Sequence, residues 1–363
     1  MNLVLYILIA AVPFVVINGL WDYANLPKEI FLRNGVLLLA VVFFWKHRGK
    51  DIAFSGLAIA YSIFLCWAAL SLLWATNRFE SMVTLSHWLM CGLLFVMVRN
   101  MAGINRTTVF SIIFTTAGIV ALFGVGQYYL DLNWITQTGQ ESSTFGNCNM
   151  AGRYVVMALP LGVFLLYSIK VWRFRVPLAA LFVPMLVYIY VIKFKTGMLV
   201  IVMVGAYFLV RYCPKTIKIS AVACLIALIA ATMYTHPNFL RQSKPDRLEI
   251  WKNTMEISYH HPWLGVGLGN FKVHYDRYSP GINVNDAHND YLQILCELGI
   301  VGMCAAIGIA IVGFRSFYRL RDAYSLALKT GLCIFLIVAF FSFPLERAVT
   351  PFIASLYAGL LRA

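Results

Sequence analysis

Runs of about 20 apolar residues recur along almost the whole chain, and they leave it few ways to fold. No water reaches a backbone N–H or C=O in hydrocarbon, so such a segment crosses a membrane as a helix that closes its own hydrogen bonds. Spans are expected near 3–20, 31–45, 52–74, 82–98, 107–129, 150–169, 176–192, 198–212, 219–234, 291–314, 330–343 and 350–361. The expected fold is an all-α polytopic membrane protein with about twelve transmembrane helices. The first run has no basic residue before it and no small-residue cleavage site after it, so it is expected to be a retained span and not a signal peptide. No soluble domain is expected after the last span.

Charge then sets the orientation, because basic residues of short loops stay on the cytoplasmic side. Lys46, Arg48, Lys50, Arg99, Arg106, Lys170, Arg173, Arg175, Arg211, Lys215, Lys218, Arg315, Arg319, Arg321, Lys329 and Arg362 fall in alternate loops, where only Asp51 and Asp322 oppose them. Both termini are therefore expected to be cytoplasmic. The formal net charge of +14 is a topology signal on this account and does not mark a nucleic-acid surface. Seven of the eight cysteines lie in or beside expected spans, which argues against a disulfide framework. The chain has no CxxC, HExxH or GxxxxGK[ST] pattern, so neither a zinc site nor nucleotide hydrolysis is supported.

Three outer features stand out: the loop 130–149, the short turn Lys193 to Gly197, and a polar island over 236–290. The chain thus divides into spans 1–235, the island at 236–290, and a last group of spans at 291–363. The island holds five of the seven histidines, His236, His260, His261, His274 and His288. Their spacings match no metal-ligand pattern. Polar groups that converge from several helices are how a membrane enzyme or transporter builds a site. Lys193 and Lys195 break the charge rule on a very short outer turn, either by snorkelling or by facing an anion held at the outer leaflet.

Within the island, Asp246 is placed to cap a helix whose Leu248, Trp251, Met255 and Tyr259 form an apolar stripe suited to the membrane surface. His260, His261 and Pro262 end it. The glycine-rich segment 265–270 follows no strand, so a dinucleotide site is not expected. Asn285 to Tyr291 then puts His288 at the mouth of a helix among amides and carboxylates. A histidine there is either a capping residue or a general base, since its ring titrates near neutrality.

Three ordered blocks carry a resemblance: Arg247 to Trp251, His261 to Gly267, and Ala287 to Leu292. With Ser143 to Asn149, they resemble the O-antigen ligase and polymerase superfamily. The resemblance implies a metal-independent GT-C-type glycosyltransferase of the bacterial inner membrane, free of cofactors, with its site in a large periplasmic loop. Its donor would be an undecaprenyl-diphosphate-linked glycan and its acceptor a hydroxyl of lipid A-core or another glycan, with no nucleic acid involved. The family's essential arginine falls on Arg247 and its essential histidine on His288. The same chemistry makes Asn147, Asn289 and Asp290 candidate contacts to diphosphate or glycan.

One departure is visible. The family carries a second arginine at the outer end of a middle span, where this chain has Lys193-Phe194-Lys195-Thr196-Gly197. Lysine supplies charge without the planar fork, so Lys195, with Lys193 second, is expected to take the charge role. Within the superfamily, a polymerase or a protein O-glycosyltransferase would use another acceptor. From a different class, a transporter of an anionic solute or lipid should show repeated spans and polar groups at mid-membrane. Neither is evident, because the polar groups collect at one face.

Overall fold

A computed structural model of the chain describes residues 1–49, 51–132, 135, 141–212, 247–279 and 284–361, the side chains of 206–212 excepted. The described residues form thirteen α-helices and no strand: α1 (Asn2–Ala11), α2 (Asn25–Lys46), α3 (Gly56–Leu70), α4 (Arg78–Asn100), α5 (Arg106–Leu130), α6 (Cys148–Ser168), α7 (Trp172–Val191), α8 (Lys195–Tyr212), α9 (Arg247–His260), α10 (Phe271–Tyr278), α11 (Asp290–Phe317), α12 (Ala323–Phe341) and α13 (Val349–Leu360). Asparagine begins several of them for one reason. The side chains of Asn77, Asn105, Asn147 and Asn289 accept the free N–H groups of the first turns of α4, α5, α6 and α11.

Every expected span outside 219–234 falls on a helix, and 219–234 lies outside the described residues, as do His236 and Asp246. Among the described residues, seven helical segments are long and apolar enough to cross a membrane: 56–73, α4, α5, α6, α7, α11 and α12. Seven of the described helices thus qualify by length and composition, beside about twelve spans expected for the whole chain. Three apolar helical segments, 2–14, 195–205 and 349–360, are shorter. The first stops early because the helix tightens to a 3-10 turn around Pro13 and the chain then becomes extended at Val15. α2 has the length, but it carries Lys28, Glu29, Arg33 and Lys46.

The main core lies where α5, α6, α7, α12, α13 and α4 pack on one another. α6 is its axis, with Ala151, Val155, Val156, Met157, Ala158 and Leu161 all buried. The two ends of α12 differ in character. Near its start, Arg106 lies over the Tyr324 ring and Lys329 donates to the Leu320 carbonyl, while Arg99 donates to the Leu361 carbonyl. Its far end, about 28 Å away by helix rise, meets the polar island. Arg99, Arg106 and Lys329, which the sequence places on one side, therefore gather at one end of the bundle.

The island docks through backbone contacts. α9 turns Ile250, Thr254, Ile257 and Ser258 inward at helical spacing, and leaves Leu248, Met255 and Tyr259 of the expected stripe exposed. Trp251 is at the border, donating from its indole N–H to the Ala287 carbonyl at 3.1 Å. The glycine-rich segment lies along a break in α11 at Gly299, whose φ is +66°. Val266 and Gly267 donate to the carbonyls of Cys296 and Glu297, and Ile300 donates back to that of Pro262. A Cβ on Gly265 would stand 2.4 Å from the Glu297 carbonyl, and one on Gly299 would stand 2.2 Å from that of Trp263. Only bare backbone fits at these crossings. The Glu297 carboxylate completes the joint by accepting from the N–H groups of Gly269 (2.7 Å) and Phe271 (3.2 Å).

Candidate active site

The site forms where three pieces of chain meet: the first turns of α6, the approach to α11, and the segment from the end of α12 into α13. Phe343 stands at the centre. The guanidinium carbon of Arg153 lies 4.6 Å from its ring centroid and that of Arg347 lies 4.8 Å from it. The His288 ring meets the same ring edge-on, with centroids 4.9 Å apart. Arg247 arrives from the first residue of α9 and donates to the Phe341 carbonyl at 2.9 Å.

His288 owes its position to its neighbours. Its φ of +53° is one that side chains rarely adopt, so the flanking residues must hold it. Before it, the Ala287 N–H donates to Oε1 of Gln293 at 3.0 Å, and the Ala287 carbonyl takes the Trp251 indole. After it, Asn289 accepts from the N–H groups of Tyr291 and Leu292. The motif residues on both sides of the histidine thus serve as its clamp.

Burial, followed by the positive charges of Arg247, Arg153 and Arg347, pushes the His288 imidazole down to about 4. The ring is therefore neutral at pH 7, with a lone pair free to accept a hydroxyl proton. Asp286 pairs with Arg347 at 3.0 Å, and burial holds its carboxyl above the usual carboxylate range despite that partner. The three guanidiniums descend in depth. Arg247 is exposed, Arg347 is partly covered, and Arg153 is 1% exposed.

Of the residues singled out in the sequence, Arg247, His288, Asn289 and Asp290 come together here. Asp290 is buried and accepts from the Leu345 N–H at 3.0 Å, which ties α11 to the last segment. Asn147 caps α6 with its oxygen on the N–H of Asn149, the residue about one helical turn before Arg153. Lys193 and Lys195 are both exposed, on a turn whose Phe194 packs against α6 at Gly152. The sequence reading missed Arg153, Arg347 and Phe343. A lone arginine inside an apolar run was the available signal for the first of these, since such a charge is rarely there without a task.

Residues 149–307 match the family described as O-antigen ligase. That segment, a little under half of the chain, is similar to the O-antigen ligase family. It contains Arg153, Lys193, Lys195, Arg247 and His288, while Asn147, Phe343 and Arg347 lie beyond its limits. No curated protein matches the chain at significant similarity. The apolar helices fit a multi-pass membrane protein, and the O-antigen ligase match suggests a glycosyltransferase-like class whose substrates are, in general, glycans and lipid-linked.

Proposed function

We propose that the protein moves a glycan from undecaprenyl diphosphate to an acceptor hydroxyl on the periplasmic face of the bacterial inner membrane, with lipid A-core as the acceptor. The observation that carries this reading is the meeting of Arg247 and a neutral His288 at one end of the bundle, beside two further guanidiniums. Both termini are then cytoplasmic, at the end where the basic loops gather.

The chemistry follows from the residue types. His288 accepts the proton of the acceptor hydroxyl as its oxygen forms a bond to the anomeric carbon. The bond from that carbon to the diphosphate oxygen breaks, and the electron pair leaves with the diphosphate. Arg247 stabilises the charge that grows on this leaving group through paired N–H donors. Attack from the opposite face inverts the anomeric centre, and no step calls for a metal. Lys195 and Lys193, on the turn against Gly152, attract the anionic carrier. Asn147, Asn289 and Asp290 act mainly by fixing the helix starts that present the site.

The test is glycan transfer in membranes of a host that lacks its own ligase, comparing the intact protein with His288→Ala and Arg247→Ala. Glycan on lipid A-core with the intact protein alone supports ligation and both roles. Longer carrier-linked chains would reassign the protein as a polymerase, and glycan on a serine or threonine as a protein O-glycosyltransferase. Carrier or solute movement without transfer would favour a transporter.

A further inference from the structure

Arg153 is a charge without a counterpart. Its Nε and Nη1 are buried and have no hydrogen-bond partner among the described residues, and no described carboxylate forms an ion pair with it. Arg347 shares part of this condition, because its Nε is also buried and unpartnered while its Nη2 holds Asp286. A guanidinium has five donors and does not give up its charge, so leaving these groups dry is costly. The Phe343 ring offers both arginines its electron-rich face, but it accepts no ordinary hydrogen bonds. Of the carboxylates that act on Arg153, Asp286 pairs with Arg347 and Asp290 accepts from the Leu345 N–H.

The missing group must be anionic and must accept hydrogen bonds on more than one side. A phosphate oxyanion meets both conditions and suits the forked donors of arginine. Water could satisfy the donors but would bring no charge, and the two carboxylates that act on Arg153, Asp290 and Asp286, form no ion pair with it. The way in is consistent with this, since the exposed Lys193 and Lys195 sit on the turn packed against Gly152, the residue before Arg153.

We propose that Arg153 and Arg347, set over Phe343, form a phosphate-binding seat beneath Arg247 that receives one phosphate of the carrier diphosphate. The seat rests on the lipid-linked donor reading above. It supplies from α6 and from the segment before α13 the forked donors that lysines at 193 and 195 cannot offer.

The experiment uses the full chain in lipid nanodiscs. Melting temperature and affinity are measured with undecaprenyl diphosphate and with inorganic pyrophosphate, for the intact protein, Arg153→Met, Arg153→Lys and Arg347→Met. The expected result is that Arg153→Met and Arg347→Met each weaken undecaprenyl diphosphate binding by about tenfold or more, with Arg153→Lys intermediate. Without ligand, Arg153→Met should melt no lower than the intact protein, because it removes a buried unpaired charge. A lower melting point for that unliganded variant would make Arg153 a structural prop and overturn the proposal. Unchanged affinity in both methionine variants would also overturn it while leaving glycan transfer intact. Failure of the intact protein to bind the lipid diphosphate would remove the donor reading and the seat with it. Pyrophosphate binding as tight, with the same arginine dependence, would uphold the seat and assign it to a free oxyanion.

Discussion

The rings of His288 and Phe343 stand nearly perpendicular, at 72°. Because two guanidiniums lie over the same Phe343 ring, this one side chain spaces the imidazole, kept neutral chiefly by burial, from two of the charges that add to that effect. Replacing Phe343 by leucine removes the face that receives both arginines. Transfer is expected to fall by about tenfold to a hundredfold, the scale of a small misplacement of reacting groups. The rate of glycan transfer in purified membranes is the measurement, and a Phe343→Leu variant at full rate would refute the spacing role.

A second expectation concerns pH. An unfolded histidine takes up a proton near 6.5, whereas His288 in the fold does so at about 4. Protonation therefore favours unfolding. The stability contributed by the neutral ring is complete above pH 6.5 and is lost as the pH falls toward 4. Activity should follow the same group, with kcat/KM level through pH 6.5 and declining only toward 4. A bound diphosphate opposes the arginine charges, so the acid limb of kcat should lie at a higher pH than that of kcat/KM. An acid limb of kcat/KM centred at 6.5 or above would contradict this.

The crossing of Gly265 and Gly299 gives a stability prediction. Alanine at either position meets a backbone carbonyl at well under contact distance and holds an unfavourable φ. Each substitution should cost about 3 kcal/mol or more, from backbone strain together with a forced shift of packed chain. Thermal unfolding in detergent measures it, and alanine at Gly205, where the surroundings are open, is the control.

The two turn lysines should separate from the deep arginines in kinetics. They are exposed, and in the proposed role they act on an approaching anion, so Lys195→Ala should raise KM for the lipid-linked donor several-fold, roughly 1 kcal/mol, with kcat nearly unchanged. Lys193→Ala should do less. Raising salt should shrink both effects, and a Lys195→Ala variant with unaltered KM at low salt would dismiss the role.

The spans were legible in the sequence because hydrocarbon imposes a length and a composition that few other constraints produce, so helix boundaries such as those of α5 and α6 fall within two residues of expectation. Arg247 and His288 were legible through the ordered blocks around them, and Trp251 donating to Ala287 shows why two of those blocks occur together. The glycine-rich segment suggested only a turn. Its purpose depends on a break in α11 that no local pattern announces, since Gly299 sits in an otherwise regular apolar run. Arg153, Phe343 and Arg347 escaped for a different reason. They converge from stretches nearly 200 residues apart, and hydropathy treats the first as noise inside a span and the others as the edge of one.

The break at Gly299 also divides labour along α11. The turns before it are stitched to the glycine-rich segment and carry the histidine's clamp, while the turns after it run on as an apolar rod past α3. The proposed catalytic register and the fit to a membrane are thereby separate inheritances. The rod can lengthen, shorten or tilt to suit a bilayer of another thickness without retuning the chemistry at its head.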